Sequence, residues 1–272
     1  MKIFDFDEKF YDYVRGWMAT HPGLTEKQVE DSYNEIMLNW LNAPAKWLDG
    51  AKPGEYFQRY SEPRELMKLL EEYDKRDIGL PEPLYSRVVS VGEPCVEPLM
   101  RMARNTDNPE SLRATALAIL RDIGSNAIRP LLVDLVCQSD EPDELCEMAM
   151  DELSEGDADI VDTLMERYDA AGERGKTAIL DICANFPGNE RVYQKLVFML
   201  RNRPDDRALY AALLGKLGDA RAIDELMPFL SMQDIGYLDY IEVRNAVEEL
   251  GGDPGEERTF YGDPHYEAMR GM

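Results

Sequence analysis

The feature that most constrains this chain is a glycine that recurs at a nearly constant spacing between residues 92 and 218. Successive glycines are 32, 32, 32 and 30 residues apart, at Gly92, Gly124, Gly156, Gly188 and Gly218. An apolar residue stands four positions after each glycine, and another stands eight positions after it. The first column holds Val96, Ile128, Ile160, Val192 and Ala222, and the second holds Met100, Leu132, Leu164, Leu196 and Leu226. Because residues four apart share one face of a helix, each step predicts an amphipathic helix with the same apolar stripe.

A helix-breaking or helix-capping group divides each step into two halves. These groups are Asn108-Pro109, Asp140-Glu141-Pro142, Gly172-Glu173 and Pro204-Asp205. They predict a second helix in every step, most clearly over residues 112–124, 208–218 and 243–252. A pair of helices of about 32 residues, stacked about five times, is typical of an all-α α-solenoid.

The motifs within this unit resemble the short HEAT-like repeats first associated with phycobilisome (bilin) lyases. The motifs are Val-Arg-x-Ala from Val243 to Ala246, a looser copy at Leu112-Arg113, and Leu-Gly-x-Leu-Gly-Asp-x-Arg-Ala-Ile from Leu214 to Ile223. The resemblance spans about residues 93 to 253 and implies a superhelix of helical pairs. It permits a tetrapyrrole-related lyase or binding protein. Because the same fold hosts many unrelated functions, it selects none of them.

The first 62 residues do not share the repeat and contain all three tryptophans. An aromatic and apolar stripe at helical spacing predicts the first helix, with Phe6, Phe10, Tyr13, Val14 and Trp17 on one face. Leu24 followed by Thr25 and Gln28 predicts a capping box at the start of a second helix. Residues 42–61 are expected to be mostly loop, anchored by Trp47 and Leu48. We interpret residues 1–62 as a helical cap over one end of the solenoid.

Two further segments flank the regular copies over residues 93–252. Residues 63–92 are interpreted as an irregular leading repeat, with Ser61 capping its first helix and residues 84–91 forming its second. Residues 253–272 form a tail rich in glycine and proline. We expect its aromatic residues, Phe260, Tyr261 and Tyr266, to pack on the last helical pair or to lie in the groove.

Composition places the chain among cytoplasmic globular proteins. Hydrophobic residues make up 44% of the sequence, and no apolar run approaches the roughly 18 residues that span a membrane. The opening residues MKIFDFDEKF carry acids where a signal peptide would be apolar. The four cysteines form no Cys-x-x-Cys pair and are expected to be buried free thiols, at Cys95, Cys137, Cys146 and Cys183.

The net charge of −24 is distributed unevenly. Residues 125–156 carry nine acids and one arginine, whereas residues 189–218 carry six bases and three acids. A strongly negative field repels phosphate backbones and anionic membranes, so we expect neither nucleic acid nor membrane as a partner. The same charge disfavours a DNA-repair solenoid of the alkylpurine-glycosylase kind, which needs a basic groove.

No catalytic constellation stands in the sequence. The two histidines, His21 and His265, belong to no metal-ligand pattern, and the motifs of phosphate-binding loops and serine hydrolases are missing. Three acids that could surround a cation, Asp157, Asp159 and Asp162, fail the calcium-loop pattern and fit the first turn of a helix instead. We therefore predict no catalytic, cofactor or metal site.

Two sets of basic residues have alternative interpretations. Arg113 and Arg244 occupy the arginine of Val-Arg-x-Ala, and an internal ladder of ion pairs is favoured over a binding role. A second set is interpreted as a solvated face in preference to a site for an acidic peptide, and it contains Arg191, Lys195, Arg201, Arg203 and Arg207.

The leading functional hypothesis is a non-enzymatic scaffold that binds another protein or peptide on the concave face of the solenoid. A stack of repeats forms an extended groove to which each second helix contributes a few exposed side chains. The residues expected to project into it are Glu144, Glu147, Asp151, Lys176 and Arg207. A tetrapyrrole lyase or binding protein is the alternative, and it requires a deep apolar pocket.

Overall fold

A computed structural model describes residues 2–23, 25–138 and 143–270. Throughout these residues the regular secondary structure is helical, with no β-strand, so the predicted all-α class is confirmed. The chain divides into two compact units, Met1–Leu131 and Leu132–Met272. No described helix combines the length and apolar composition that crossing a bilayer requires.

Most α-helices of the first unit are joined by short connections, but residues 43–62 separate the third helix from the fourth. The helices are α1 (Phe6–Thr20), α2 (Glu26–Asp31), α3 (Tyr33–Asn42), α4 (Pro63–Lys75), α5 (Glu82–Val91), α6 (Glu93–Arg104) and α7 (Glu110–Ile123). A further helix, α8 (Arg129–Gln138), crosses the boundary at Leu131.

The predicted capping box at α2 is confirmed. The Thr25 hydroxyl accepts a hydrogen bond from the Gln28 N–H, and the Gln28 side chain accepts one from the Thr25 N–H. This exchange satisfies two donors that the first turn of a helix leaves open. Leu24, expected to precede the box, lies outside the described residues.

The predicted α1 stripe is buried in its first half only. Phe6 and Phe10 are 3% and 5% exposed, and their rings lie 6.0 Å and 5.2 Å from that of Trp40. The second half of the stripe is only partly covered, and it comprises Tyr13, Val14 and Trp17. The cause is the position of α3, whose first residue, Tyr33, already lies against Phe10.

The segment expected to be mostly loop contains two 3₁₀ helices, Lys46–Leu48 and Pro53–Arg59. The predicted anchor is confirmed, because Leu48 is 3% exposed and the Trp47 ring lies 5.1 Å from that of Phe6. The second 3₁₀ helix buries Tyr56 and Phe57, two core residues that sequence reasoning did not single out.

Helix α4 begins at Pro63, the first residue of the expected leading repeat, but its cap differs from the prediction. Glu62, not Ser61, occupies the N-cap position, and its side chain makes no capping hydrogen bond. Pro63 begins the helix with a backbone already suited to a first turn, and it removes one of the donors that a helix start leaves open. The partner helix α5 begins at Glu82, two residues before the expected Leu84.

The second unit continues the alternation of helices. After α8 come α9 (Glu144–Ser154), α10 (Ile160–Arg167), α11 (Glu173–Cys183), α12 (Glu190–Asn202), α13 (Arg207–Leu217), α14 (Ala222–Leu230), α15 (Tyr237–Glu249) and α16 (Pro264–Arg270). We call α6, α8, α10, α12 and α14 the first helices and α7, α9, α11, α13 and α15 the second helices.

Both apolar columns are buried in every copy. The exposed fraction is at most 7% in the first column, at Ile128, and at most 4% in the second, at Met100. Burial of one side chain of this size contributes roughly 1.5–3 kcal/mol relative to exposure. The two columns therefore supply the packing seam of the first helices, as the spacing predicts.

The recurring glycine has a conformational role in most copies. Gly124 and Gly218 end α7 and α13 in the left-handed conformation, with φ of 73° and 72°. Other residues occupy that region only at a steric cost, so glycine is favoured at such a helix end. Gly156 has no positive φ, and α9 ends at Ser154 without a left-handed cap.

A different glycine governs the contact between α13 and α15. A Cβ atom built on Gly215 would lie 3.1 Å from the Cα of Ala246 and 3.2 Å from its Cβ. Only a hydrogen at this position lets the two helices approach so closely. The predicted separators are also confirmed at Pro109, Gly172 and Pro204, whereas Asp140-Glu141-Pro142 lies outside the described residues.

The C-terminal segment packs on the last helical pair, which was one of the two positions expected for it. Phe260 lies 4.8 Å from the Tyr240 ring, and Tyr266 lies 5.0 Å from the Tyr237 ring. The Arg258 guanidinium donates to the carbonyl of Leu230, the last residue of α14, and to that of Met232 just beyond it. Tyr261 departs from the expectation, because it is 71% exposed.

Asp263 connects this segment to the start of α15. Its Oδ2 accepts a hydrogen bond from the Tyr237 N–H at 3.0 Å, and its Oδ1 accepts from the N–H groups of His265 and Tyr266. These backbone donors, chiefly Tyr237, hold the pKa of the Asp263 carboxyl below its ordinary value. A residue distant in sequence thus satisfies an open donor of α15.

Candidate functional site

The three predicted acidic contacts lie together on α9. Glu144, Glu147 and Asp151 are all exposed, at positions i, i+3 and i+7 of the helix. Asp143 caps the start of α9, and its carboxylate accepts a hydrogen bond from the Cys146 N–H at 2.6 Å. Among the described residues, neither Glu147 nor Asp151 has a cationic group within 4.0 Å. We call Glu144, Glu147 and Asp151 the α9 acidic stripe.

The two predicted basic contacts lie on other helices and bond internally. Lys176 of α11 bonds to Glu173 at 3.0 Å. Arg207, at the start of α13, has only 11% of its side chain exposed. Its guanidinium bonds to Asp239 at 3.2 Å and lies 4.9 Å from the centre of the Phe229 ring. The structure therefore places the five predicted residues on three helices and gives Arg207 a link to α15.

Most of the predicted basic face is paired with carboxylates. Arg201 bonds to Glu225, and Arg203 bonds to Glu173. Hydrogen bonds from Lys176 and then Arg203 hold the pKa of the Glu173 carboxyl below its ordinary value. Arg207 is also paired, and Lys195 makes a 3.8 Å contact with Asp169, so Arg191 is the member of this set without a carboxylate partner among the described residues.

Among the described residues, five ion pairs of the second unit join residues that are about one repeat apart in the sequence. Arg167 bonds to Asp134 at 3.1 Å, 33 residues away, and Lys216 bonds to Asp181 at 2.6 Å, 35 residues away. Three more pairs have similar separations, namely Arg203 with Glu173, Arg221 with Glu190, and Arg207 with Asp239. Apart from the mostly buried pair of Arg207 with Asp239, these pairs are exposed to solvent and contribute little to stability, so their main effect is to fix side-chain positions.

The Val-Arg-x-Ala arginines are also internal, but of the two only Arg244 forms one of the expected ion pairs among the described residues. Arg113 donates through Nε to the carbonyl of Ala103, near the end of α6, at 2.9 Å. Arg244 donates to the carbonyl of Gly255 at 2.8 Å and pairs with Glu248 one turn along its own helix. The last carbonyls of a helix lack intrahelical donors, which explains why Arg113 bonds there.

An open groove of about 410 Å³ lies between α10 and α12. One wall is a stripe of α12 that contains Arg191, Gln194, Lys195 and Phe198, and the other contains Met165, Tyr168 and Asp169. We call this the α10–α12 groove. The α12 residues fall at i, i+3, i+4 and i+7, so they share one face of the helix.

Phe198 is the residue that sequence reasoning missed in this groove. It is 57% exposed, whereas its neighbours Leu196 and Leu200 are completely buried. The signal was present in the sequence, because Phe198 continues the polar stripe Arg191, Gln194 and Lys195 instead of the apolar one. An apolar residue at such a position is expected to face solvent.

The first unit has larger grooves of mixed polarity. One of about 820 Å³ lies between α4 and α6, where Met67 and Met102 are flanked by Arg64, Lys68 and Arg101. Another of about 490 Å³ lies between α4 and α7 and includes Tyr73 and Asp74. Each groove combines charged with apolar lining residues, so neither is mainly apolar.

The titratable groups form no catalytic arrangement in the part of the chain that the structure describes. His21 and His265 are exposed, and His21 stacks on Trp17 with ring centres 4.1 Å apart. All four cysteines are buried free thiols, as predicted, and burial raises the pKa of Cys183 to about 12. Over residues 2–23, 25–138 and 143–270, no three His, Cys, Asp or Glu side chains converge as metal ligands would.

Comparison with known proteins identifies no family for this chain. A scan against protein-family models and a search of the curated proteins both return no match for this chain. The function is therefore inferred from the residues themselves.

Proposed function

We propose that this chain is a HEAT-like α-solenoid whose helical pairs over residues 93–252 follow a leading repeat at 63–92 and a helical cap at 1–62. Two observations support this architecture. Both apolar columns are buried in all five copies. Ion pairs in the second unit join residues 30 to 35 positions apart, which is close to the repeat length.

We further propose that the protein is a non-enzymatic scaffold that binds another protein or peptide through its second helices, on the concave face. The observation that carries this proposal is the α9 acidic stripe. Glu147 and Asp151 stand one turn apart on an exposed face, and like charges at this spacing cost a helix about 0.2–0.5 kcal/mol. A partner with basic residues would offset that repulsion, so the stripe fits a basic peptide or protein surface.

The test is affinity capture by the full chain from the native host, read by quantitative mass spectrometry. Wild type is compared with the variant Glu144→Lys, Glu147→Lys, Asp151→Lys. The proposal expects specific proteins that wild type enriches and this variant loses, because charge reversal replaces attraction by repulsion.

The matched control reverses three exposed acids elsewhere in the second unit: Asp234→Lys, Glu256→Lys and Glu257→Lys. It makes the same change in net charge and should retain the captured proteins. Equal losses in both variants would show a response to total charge alone, and capture that survives reversal of the stripe would remove the basis of the proposal. Specific saturable binding of bilins, with a spectral shift, would instead support the tetrapyrrole hypothesis.

A further inference from the structure

The α10–α12 groove has an excess of positive charge in a strongly negative protein. Arg191 and Lys195 line it together with a single acid, Asp169, whereas the whole chain carries a net charge of −24. The Arg191 guanidinium donates to the carbonyl of Met165 at 3.3 Å, and no described carboxylate lies within 4.0 Å of it. Its remaining N–H groups are therefore open to an acceptor.

The one ion pair in the groove is weakly held. Lys195 Nζ lies 3.8 Å from Asp169, whose side chain is 95% exposed. Such an exposed contact contributes little and is readily exchanged for another carboxylate. Lys195 also lies 4.5 Å from the centre of the Tyr168 ring, which holds the ammonium group over the groove. Burial raises the pKa of Tyr168 to about 12, so this ring stays neutral at physiological pH.

An apolar surface adjoins these cations. Phe198 is 57% exposed one turn beyond Lys195, and Met165 lies in the opposite wall with 6% exposure. A large aromatic residue that stays exposed beside a groove is the kind of side chain that dominates binding energy when a partner covers it. Positive charge and an aromatic contact thus occur together on one stripe of α12.

We propose that the α10–α12 groove is a peptide-docking site for a segment that carries acidic residues beside an apolar one. Carboxylates of the segment pair with Arg191 and Lys195, and its apolar side chain covers Phe198. This groove lies on first helices, so it would give the proposed scaffold a second contact surface. The inference rests on the proposed function in one respect, namely that the chain binds other proteins or peptides.

A peptide fits this surface better than a nucleic acid does. A phosphate backbone would gain from Arg191 and Lys195 alone, while the remaining field of the chain repels it. A short acidic peptide carries few negative charges, and these can lie beside the two cations, so the rest of the chain repels it less than it repels a phosphate backbone. The open form of the groove also suits an extended or helical segment.

The experiment selects peptides from a random phage-displayed library on the immobilised full chain. We expect the enriched peptides to combine Asp or Glu with an aliphatic or aromatic residue. Fluorescence polarisation of a labelled enriched peptide should then show binding weakened about tenfold or more by Phe198→Ala and by Lys195→Glu. Arg201→Gln is the matched control, because Arg201 lies on the same helix outside the groove and should leave affinity unchanged.

Each of the other outcomes overturns the proposal. These outcomes are a selection without enrichment, enriched peptides that lack acids, and binding that survives both groove substitutions. A labelled oligothymidylate that bound through Phe198 and Lys195 would assign the groove to nucleic acid instead. Enriched basic peptides that lose binding only when the α9 acidic stripe is reversed would leave the proposed scaffold standing and remove this site. Far-UV circular dichroism confirms that each variant keeps its helices.

Discussion

Truncation of Leu196 to alanine tests whether the apolar columns hold the first helices in place. Leu196 is completely buried in α12, and the change removes three carbon atoms from its side chain. At about 0.8 kcal/mol for each buried methylene-sized group, the lost transfer energy is about 2.4 kcal/mol. The cavity left behind adds to this, so we expect a loss of about 3–5 kcal/mol in the free energy of unfolding.

The assay is urea unfolding followed by far-UV circular dichroism, with Phe198→Ala as control. Both residues belong to α12, but Phe198 is 57% exposed, so its truncation should change stability by no more than about 0.5 kcal/mol. All three tryptophans lie in the first 62 residues, so tryptophan fluorescence follows the first unit in the same samples. A loss below about 1 kcal/mol for Leu196→Ala would refute the role assigned to the column.

Three further predictions concern other parts of the molecule. In urea unfolding, Gly215→Ala should destabilise the chain by about 1–2 kcal/mol, because the added methyl group would meet the backbone of α15 at 3.1 Å. Gly16→Ala is the control. A Cβ atom at Gly16 has no neighbour within 4 Å, so this change should stabilise the chain by about 0.4–1 kcal/mol. Burial raises the pKa of Cys183 to about 12. The unfolded chain therefore releases this proton first, so stability should fall between about pH 8.5 and 12, and Cys183→Ala should flatten that decline. Asp263→Ala should speed tryptic cleavage within residues 253–270. Because the folded pKa of Asp263 is lowered, its contribution is present above the unfolded pKa and is lost as pH falls through the folded value. Cleavage of the segment by pepsin, which is active in acid, should therefore become as fast in wild type as in the variant.

Sequence reasoning located most of the first and second helices but few of their lateral contacts. The glycine spacing placed the buried columns correctly in every copy, because the period of a helix fixes which residues share a face. It could not show that Arg203 reaches Glu173 or that Arg207 reaches Asp239. Those pairings depend on which side chains meet across neighbouring helices, and composition alone counts such arginines as a basic face.

The candidate sites divide in the same way. Helical periodicity alone assigns the α9 acidic stripe to one face, and the structure leaves it exposed. The α10–α12 groove could be identified only from the coordinates, because they show that Phe198 and Lys195 lie opposite residues of the α10 wall. Sequence also left open where the C-terminal segment would pack.

What the sequence determined by itself is local: the stride of the repeat, the capping box at Thr25, and the burial of the two columns. Tertiary structure alone decided how far α3 covers α1, which cations stay unpaired, and how Asp263 joins α15. The physical reason is the distance along the sequence over which each kind of interaction acts. Helix periodicity and capping act within a few residues, whereas ion pairs, ring contacts and the docking of a segment join residues that only folding brings together.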